Sequence, residues 1–167
     1  MKKLLIFSFL LVAKSIVYGQ EIEVPVNPVF ESEADYKAYE TKVLEAIDWA
    51  AYTPVNTETD KRKKVNAFLL EWMSGTPYID IVVSDGLVPY MEHPECFMVF
   101  MSGWTKYSLT HNYTNNELDC ALAGTEHVII FYEKNKSALG KIGSIEKLIK
   151  LQKKGKLKNY IEKQLEG

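Results

Sequence analysis

Apolar positions recur along most of this chain at steps of three and four residues. Tyr36, Tyr39, Val43, Ile47 and Ala50 fall on one side of a 3.6-residue turn and predict a helix from about Glu33 to Tyr52 with one buried stripe. Ser32 stands at the N-cap and Asp35 at the capping-box position, and Thr53-Pro54 ends the helix. Val65, Phe68, Leu69 and Trp72 mark a second helix, capped by Asn56 or Thr57, with Glu58 and Asp60 where the helix dipole favours negative charge. Gly75 is expected as its left-handed C-terminal residue, and Pro77 bars continuation. Pro94 suits the first position of a third helix reaching about His111. Its "CFMVFM" is apolar nearly all round, which places it at the centre. A fourth helix runs from about Asn116 to Lys134, with Leu118, Leu122, Ile129 and Tyr132 inward. Ala121, Ala123 and Gly124 let a neighbouring helix come close. Ser144 caps a fifth helix to Lys154, and Gly155 separates a short sixth, Lys156 to Leu165.

Two stretches break this rhythm. Gln20 to Glu31 carries Pro25 and Pro28 and reads as an extended leader. "PYIDIVVSDG" has the β-branched run of a strand, but it is short and solitary. It is expected as an extended segment near residues 78–84, packed on helices, with the leader's "EIEVPV" as its candidate partner. Leu87 to Tyr90 reads as one turn. The predicted fold is all-α: a compact bundle of five or six helices forming one domain over residues 32–167.

The chain opens "MKKLLIFSFLLVAKSIVYGQ". Lys2 and Lys3, an apolar run from Leu4 to Ala13, and small Val17 and Gly19 have the layout of a secretory signal peptide over residues 1–19. Lys14 stops the run well short of the ~20 apolar residues that span a bilayer. No cysteine lies near the cut to carry a lipid. A mature chain starting near Gln20 would be secreted or periplasmic. It is long enough for one domain burying roughly two-thirds of its surface, so a core can form without a metal or disulfide staple.

The formal net charge of −2 conceals an uneven distribution. Between Gln20 and Asp60, ten acidic residues face only Lys37 and Lys42. From Lys134 to Gly167, ten lysines face Glu146, Glu162 and Glu166. The halves either attract each other in the fold or form two patches of opposite sign. A net-acidic mature chain with no Arg-rich stripe argues against nucleic acid. Lys150, Lys153, Lys154, Lys156 and Lys158 fall on the polar side of the last two helices and predict an exposed basic face. Its expected partner is an acidic protein or an anionic envelope surface.

Candidate chemistry is sparse. A secreted chain with two cysteines, Cys96 and Cys120, invites a disulfide. In a helical hairpin turning near Tyr113, however, Cys96 would sit ~26 Å up one arm and Cys120 ~10 Å up the other. A disulfide needs Cα atoms within ~7 Å, so both states stay open. "EHPEC" offers Glu92, His93, Glu95 and Cys96 but lacks the paired spacing of a zinc site, and no metal or cofactor is expected. A Gly-rich phosphate loop, Gly-x-Ser-x-Gly and His-Glu-x-x-His are all missing from the sequence. Arg62 and Asn66 lie one turn apart beside the apolar stripe of the second helix. Either Asn66 ties down loop backbone, or the two line a small polar pocket. The aromatics Trp49, Trp72, Trp104, Tyr107 and Tyr113 are of the kind that enriches interfaces and ligand pockets, but Trp72 and Trp104 fall on buried stripes, so core packing is the expected role. These features favour a non-catalytic binding or interaction protein over a small envelope enzyme with an unrecognised site.

The frame "TPVN…R…NAFLLEWMSGTP", followed by "FMVFMSGWTKYSL" and "VIIFYEKN", resembles an uncharacterised family of small secreted bacterial helical proteins. The likeness spans most of the mature chain and implies a fold but no activity. More weakly, "EHVIIFYEKNKSALGKIGSIEKLIKL" is similar to the helix–loop–helix end of periplasmic immunity proteins that neutralise cell-wall amidase toxins. That likeness would imply an inhibitor of a cell-wall hydrolase toxin. Neither assigns a role to a particular residue.

Overall fold

A computed structural model describes residues 22–166. The predicted signal peptide, with Gln20 and Glu21, lies outside the described residues. Six helices follow in order: α1 Glu33–Tyr52, α2 Thr59–Gly75, α3 Pro94–Thr110, α4 Glu117–Leu139, α5 Gly143–Lys153 and α6 Leu157–Leu165. The fold is all-α, with no strand among the described residues. No described helix is long and apolar enough to cross a membrane.

The capping box of α1 forms: Ser32 Oγ accepts from Asp35 N–H, and Asp35 Oδ2 accepts from Ser32 N–H at 2.8 Å. The start of α2 differs from expectation. Neither Asn56 nor Thr57 caps it; Glu58 precedes the helix in the left-handed region at φ 47°. Thr57 Oγ1 instead donates to Pro54 O at 2.8 Å, which closes the α1–α2 turn. Gly75 is also corrected. It is the last helical residue of α2, and extended Thr76 follows it. A Cβ at Gly75 would lie 2.0 Å from the Tyr36 hydroxyl, so a close approach to α1 explains the glycine. At α5 the N-cap is Ile142 rather than Ser144. The Ile142 N–H donates to the Tyr132 hydroxyl at 3.1 Å, so α4 anchors the start of α5.

The α3–α4 hairpin is the centre of the molecule. Nine residues of α3 are buried, including Val99, Phe100, Met101 and fully buried Trp104, as its all-round apolar run predicts. On α4, Ile129 and Tyr132 are buried as expected, whereas Leu118 and Leu122 are only partly covered. The two helices cross at glycines. A Cβ on Gly103 would lie 2.9 Å from Gly124 Cα, and one on Gly124 would lie 2.8 Å from Phe100 O. On one side α1 and α2 pack against α3, while α5 and α6 pack against α4. The two pairs do not touch each other.

The connections carry core as well. The chain turns at Leu87 to Tyr90 as expected, with Val88 N–H donating to Ser84 O at 2.8 Å, and Leu87, Val88 and Tyr90 are fully buried. Residues 79–84 have no regular structure and form no ladder with the leader. The leader lies along Lys61, Lys64, Ala67, Phe68 and Glu71 of α2, whereas residues 79–83 lie along Leu70, Met73 and Ser74. The two segments therefore sit on different faces of one helix, out of pairing reach.

Candidate functional site

The basic face is built from the apolar spacing of the last two helices. Ile145, Leu148 and Ile149 of α5 and Leu157 and Ile161 of α6 recur at three- and four-residue steps and are all buried. Between them the chain reverses at Gly155, which adopts φ +65°. Lys156 N–H donates to Leu151 O and Gly155 N–H to Gln152 O, both at 2.9 Å, the bonding pattern of a glycine-terminated helix. With the apolar sides committed to the core, Lys150, Lys153, Lys154, Lys156 and Lys158 are all exposed. They crowd into nine consecutive positions around one elbow.

Few counter-charges reach this elbow. Lys158 Nζ meets Asp119 Oδ1 at 3.4 Å. Lys150, Lys153, Lys154 and Lys156 have no carboxylate within 4.0 Å among the described residues. The acidic residues of α1 lie elsewhere, since α1 touches neither α5 nor α6. Of the two arrangements that the sequence allowed, the fold keeps acidic α1 apart from the α5–α6 lysines, although Lys134 of α4 reaches the Tyr52 ring of α1.

Arg62 and Asn66 are brought together, but around Glu95 of α3. Asn66 Nδ2 donates to Glu95 Oε2 at 3.4 Å, and Arg62 Nη1 lies 3.8 Å from the same oxygen. Arg62 is 3% exposed and works mainly on α1. Its guanidinium donates to Ala50 O at 3.0 Å and Thr53 O at 2.6 Å and lies over the Trp49 ring. Burial lowers its pKa, and Glu95 opposes the shift. The loop-fixing role considered for Asn66 belongs to Asn135, which the sequence analysis missed. Buried Asn135 Oδ1 accepts from Val55 N–H at 2.9 Å, and its Nδ2 donates to Phe131 O. Its helical spacing from Phe131 and Tyr132 was the only signal for it.

Cys96 and Cys120 are not bonded; both are free and buried. Each sits in the first turn of its helix, and in an antiparallel hairpin those turns lie at opposite ends. Burial pushes both thiols up to about 11, so neither is a thiolate near neutral pH. His127 is held neutral: burial first, then the nearby Lys106 ammonium, lowers its pKa to about 4. Among the described residues no group of three or more His, Cys, Asp or Glu side chains is placed to hold a metal. A groove of ≈ 890 Å³ between the leader and α2 mixes apolar Ile22, Val24 and Phe68 with Lys61, Lys64 and Glu71.

No family model matches this chain, and neither a curated protein nor a solved structure does.

Proposed function

We propose that this chain is a secreted or periplasmic, non-catalytic binding protein whose α5–α6 elbow engages an acidic protein. The observation that carries the reading is the set of four exposed lysines, Lys150, Lys153, Lys154 and Lys156, without a carboxylate partner among the described residues, on a hydrogen-bonded turn. Lys150 and Lys153 lie in the last turn of α5, where the helix dipole favours cations, but Lys154 and Lys156 add further like charge beside them, and charges this close repel one another. An acidic surface would relieve that repulsion and would be steered to the elbow from solution.

The same elbow favours a protein over a membrane. Interfacial helices insert an apolar side, and here those sides are already used in the core. None of the large exposed hydrophobic residues falls in α5 or α6. A pulldown from envelope extract at low and high salt, using wild type and a Lys153→Glu, Lys154→Glu, Lys156→Glu variant, tests the reading. Wild type should retain acidic proteins at low salt only, and the variant should lose them. Retention of the same proteins by both at either salt level would refute it. Co-sedimentation of wild type with anionic vesicles, without protein capture, would assign the elbow to a lipid surface instead.

A further inference from the structure

Away from the lysine elbow, three elements distant in sequence meet on the polar side of α1. Glu33, Lys37 and Glu40 lie one turn apart on that helix. Tyr78 comes from the α2–α3 connection and Tyr113 from the α3–α4 loop. The Tyr78 hydroxyl donates to Glu40 Oε1 at 2.8 Å, and the Tyr113 hydroxyl donates to Oε2 at 3.1 Å. The two rings stand nearly perpendicular, 81° apart with centroids at 5.3 Å, and form a corner. A cation already faces it. Lys37 Nζ lies 5.7 Å from the Tyr78 centroid and 5.8 Å from that of Tyr113, while Glu33 holds it at 2.6 Å.

The corner is open: Tyr113, expected in the core, is 41% exposed because the α3–α4 loop carries it outside the helix stripes, and the Lys37 side chain is 48% exposed. It is also maintained against local backbone preference. Asn112 and Tyr113 both lie in the left-handed region, at φ 55° and 56°, which is uncommon for a bulky aromatic.

We propose that this corner is a binding site for a quaternary ammonium group, with the Lys37 ammonium as a built-in occupant that the ligand displaces. Aromatic faces attract a cation within ~6 Å, most strongly one that sheds water easily. The acceptor chemistry selects the cation. Each Glu40 oxygen already accepts from one phenol, which leaves about one lone-pair site apiece, so the carboxylate offers its full charge but only part of its acceptor capacity. Lys37 takes its acceptor one turn back, at Glu33. A trimethylammonium group has no N–H to satisfy and needs only the charge and the ring faces. With Lys37 swung out, Glu33 would add a second negative charge beside the ligand.

Choline is the probe, and its uncharged carbon analogue, with tert-butyl in place of trimethylammonium, is the control. Each is titrated into wild type, Lys37→Ala and Lys37→Ala/Glu40→Gln while the tyrosine ring signals are followed by NMR. Choline should shift the Tyr78 and Tyr113 ring signals saturably and bind Lys37→Ala about tenfold more tightly than wild type. Glu40→Gln should weaken binding about tenfold, and the carbon analogue should shift nothing. Absence of a saturable choline shift in both wild type and folded Lys37→Ala would overturn the proposal. So would equal shifts from the carbon analogue. Phosphatidylcholine vesicles in place of choline separate the two sources of such a group: co-sedimentation assigns a lipid headgroup, and its failure alongside choline shifts assigns a free small molecule. None of these outcomes depends on the lysine elbow.

Discussion

His127, half-buried with its Nε2 enclosed, shows how one residue sets a pH limit for the fold. Its Nε2 is buried without a hydrogen-bond partner. Burial, then Lys106, then Lys134 disfavour the imidazolium, and only Asp48 opposes them. The unfolded chain takes up this proton near 6.5, but the folded chain waits until about 4. Between those values the unfolded state binds more protons, so stability falls as the pH drops through that window. A shift of this size corresponds to about 3 kcal/mol in all. Urea denaturation of wild type and His127→Gln, near neutral pH and near pH 4, isolates this contribution from the titrating carboxylates. Wild type should lose about 3 kcal/mol more than the variant over that interval; equal losses would show that the folded ring protonates freely.

At the scale of elements, two joints hold the bundle in register. The first is Arg62, whose guanidinium fork spans Ala50 O and Thr53 O at the end of α1. Lysine cannot make both bonds from one ammonium. Arg62→Lys should therefore cost about 2 kcal/mol in urea denaturation. A variant as stable as wild type would mean that water serves those carbonyls equally well. The second joint is the Gly103–Gly124 crossing of α3 and α4. Alanine in a helix interior normally gains up to ~1 kcal/mol over glycine. At Gly124 the added Cβ meets backbone of α3, and overpacking costs ~1–3 kcal/mol. Gly124→Ala should therefore destabilise, and a rise in the denaturation midpoint would contradict the close crossing. The Ala121, Ala123, Gly124 run announced this approach in the sequence, and the stripes of α1, α2 and α3 announced those helices. Gly75 was misread because its reason lies across the structure, in the Tyr36 hydroxyl, where no local signal reaches. The turn at Leu87 to Tyr90 was legible, but the burial of Leu87, Val88 and Tyr90 was not, because core residues in a connection without regular structure have no period to betray them.

For the whole molecule, the charge asymmetry was plain in the sequence, but its arrangement was not. Whether acidic α1 would neutralise the C-terminal lysines depended on which helices touch. The central α3–α4 hairpin keeps them apart. The lysine elbow could be read from amphipathic spacing alone. The Tyr78–Tyr113 corner could not, because its members come from three elements whose meeting no sequence window contains.

The central claim is that the elbow, and not net charge, recruits an acidic protein. It is tested most directly by comparing two charge-reversal variants of equal net charge on envelope-extract affinity columns eluted with salt. One carries Lys153→Glu, Lys154→Glu and Lys156→Glu; the other carries Lys42→Glu, Lys63→Glu and Lys64→Glu, away from the elbow. Screening shortens the reach of these charges to ~8 Å at physiological salt, so retained partners should elute as salt rises. The account predicts that the elbow variant loses the acidic proteins held by wild type and that the second variant keeps them. Identical protein sets and identical elution from all three columns would contradict it.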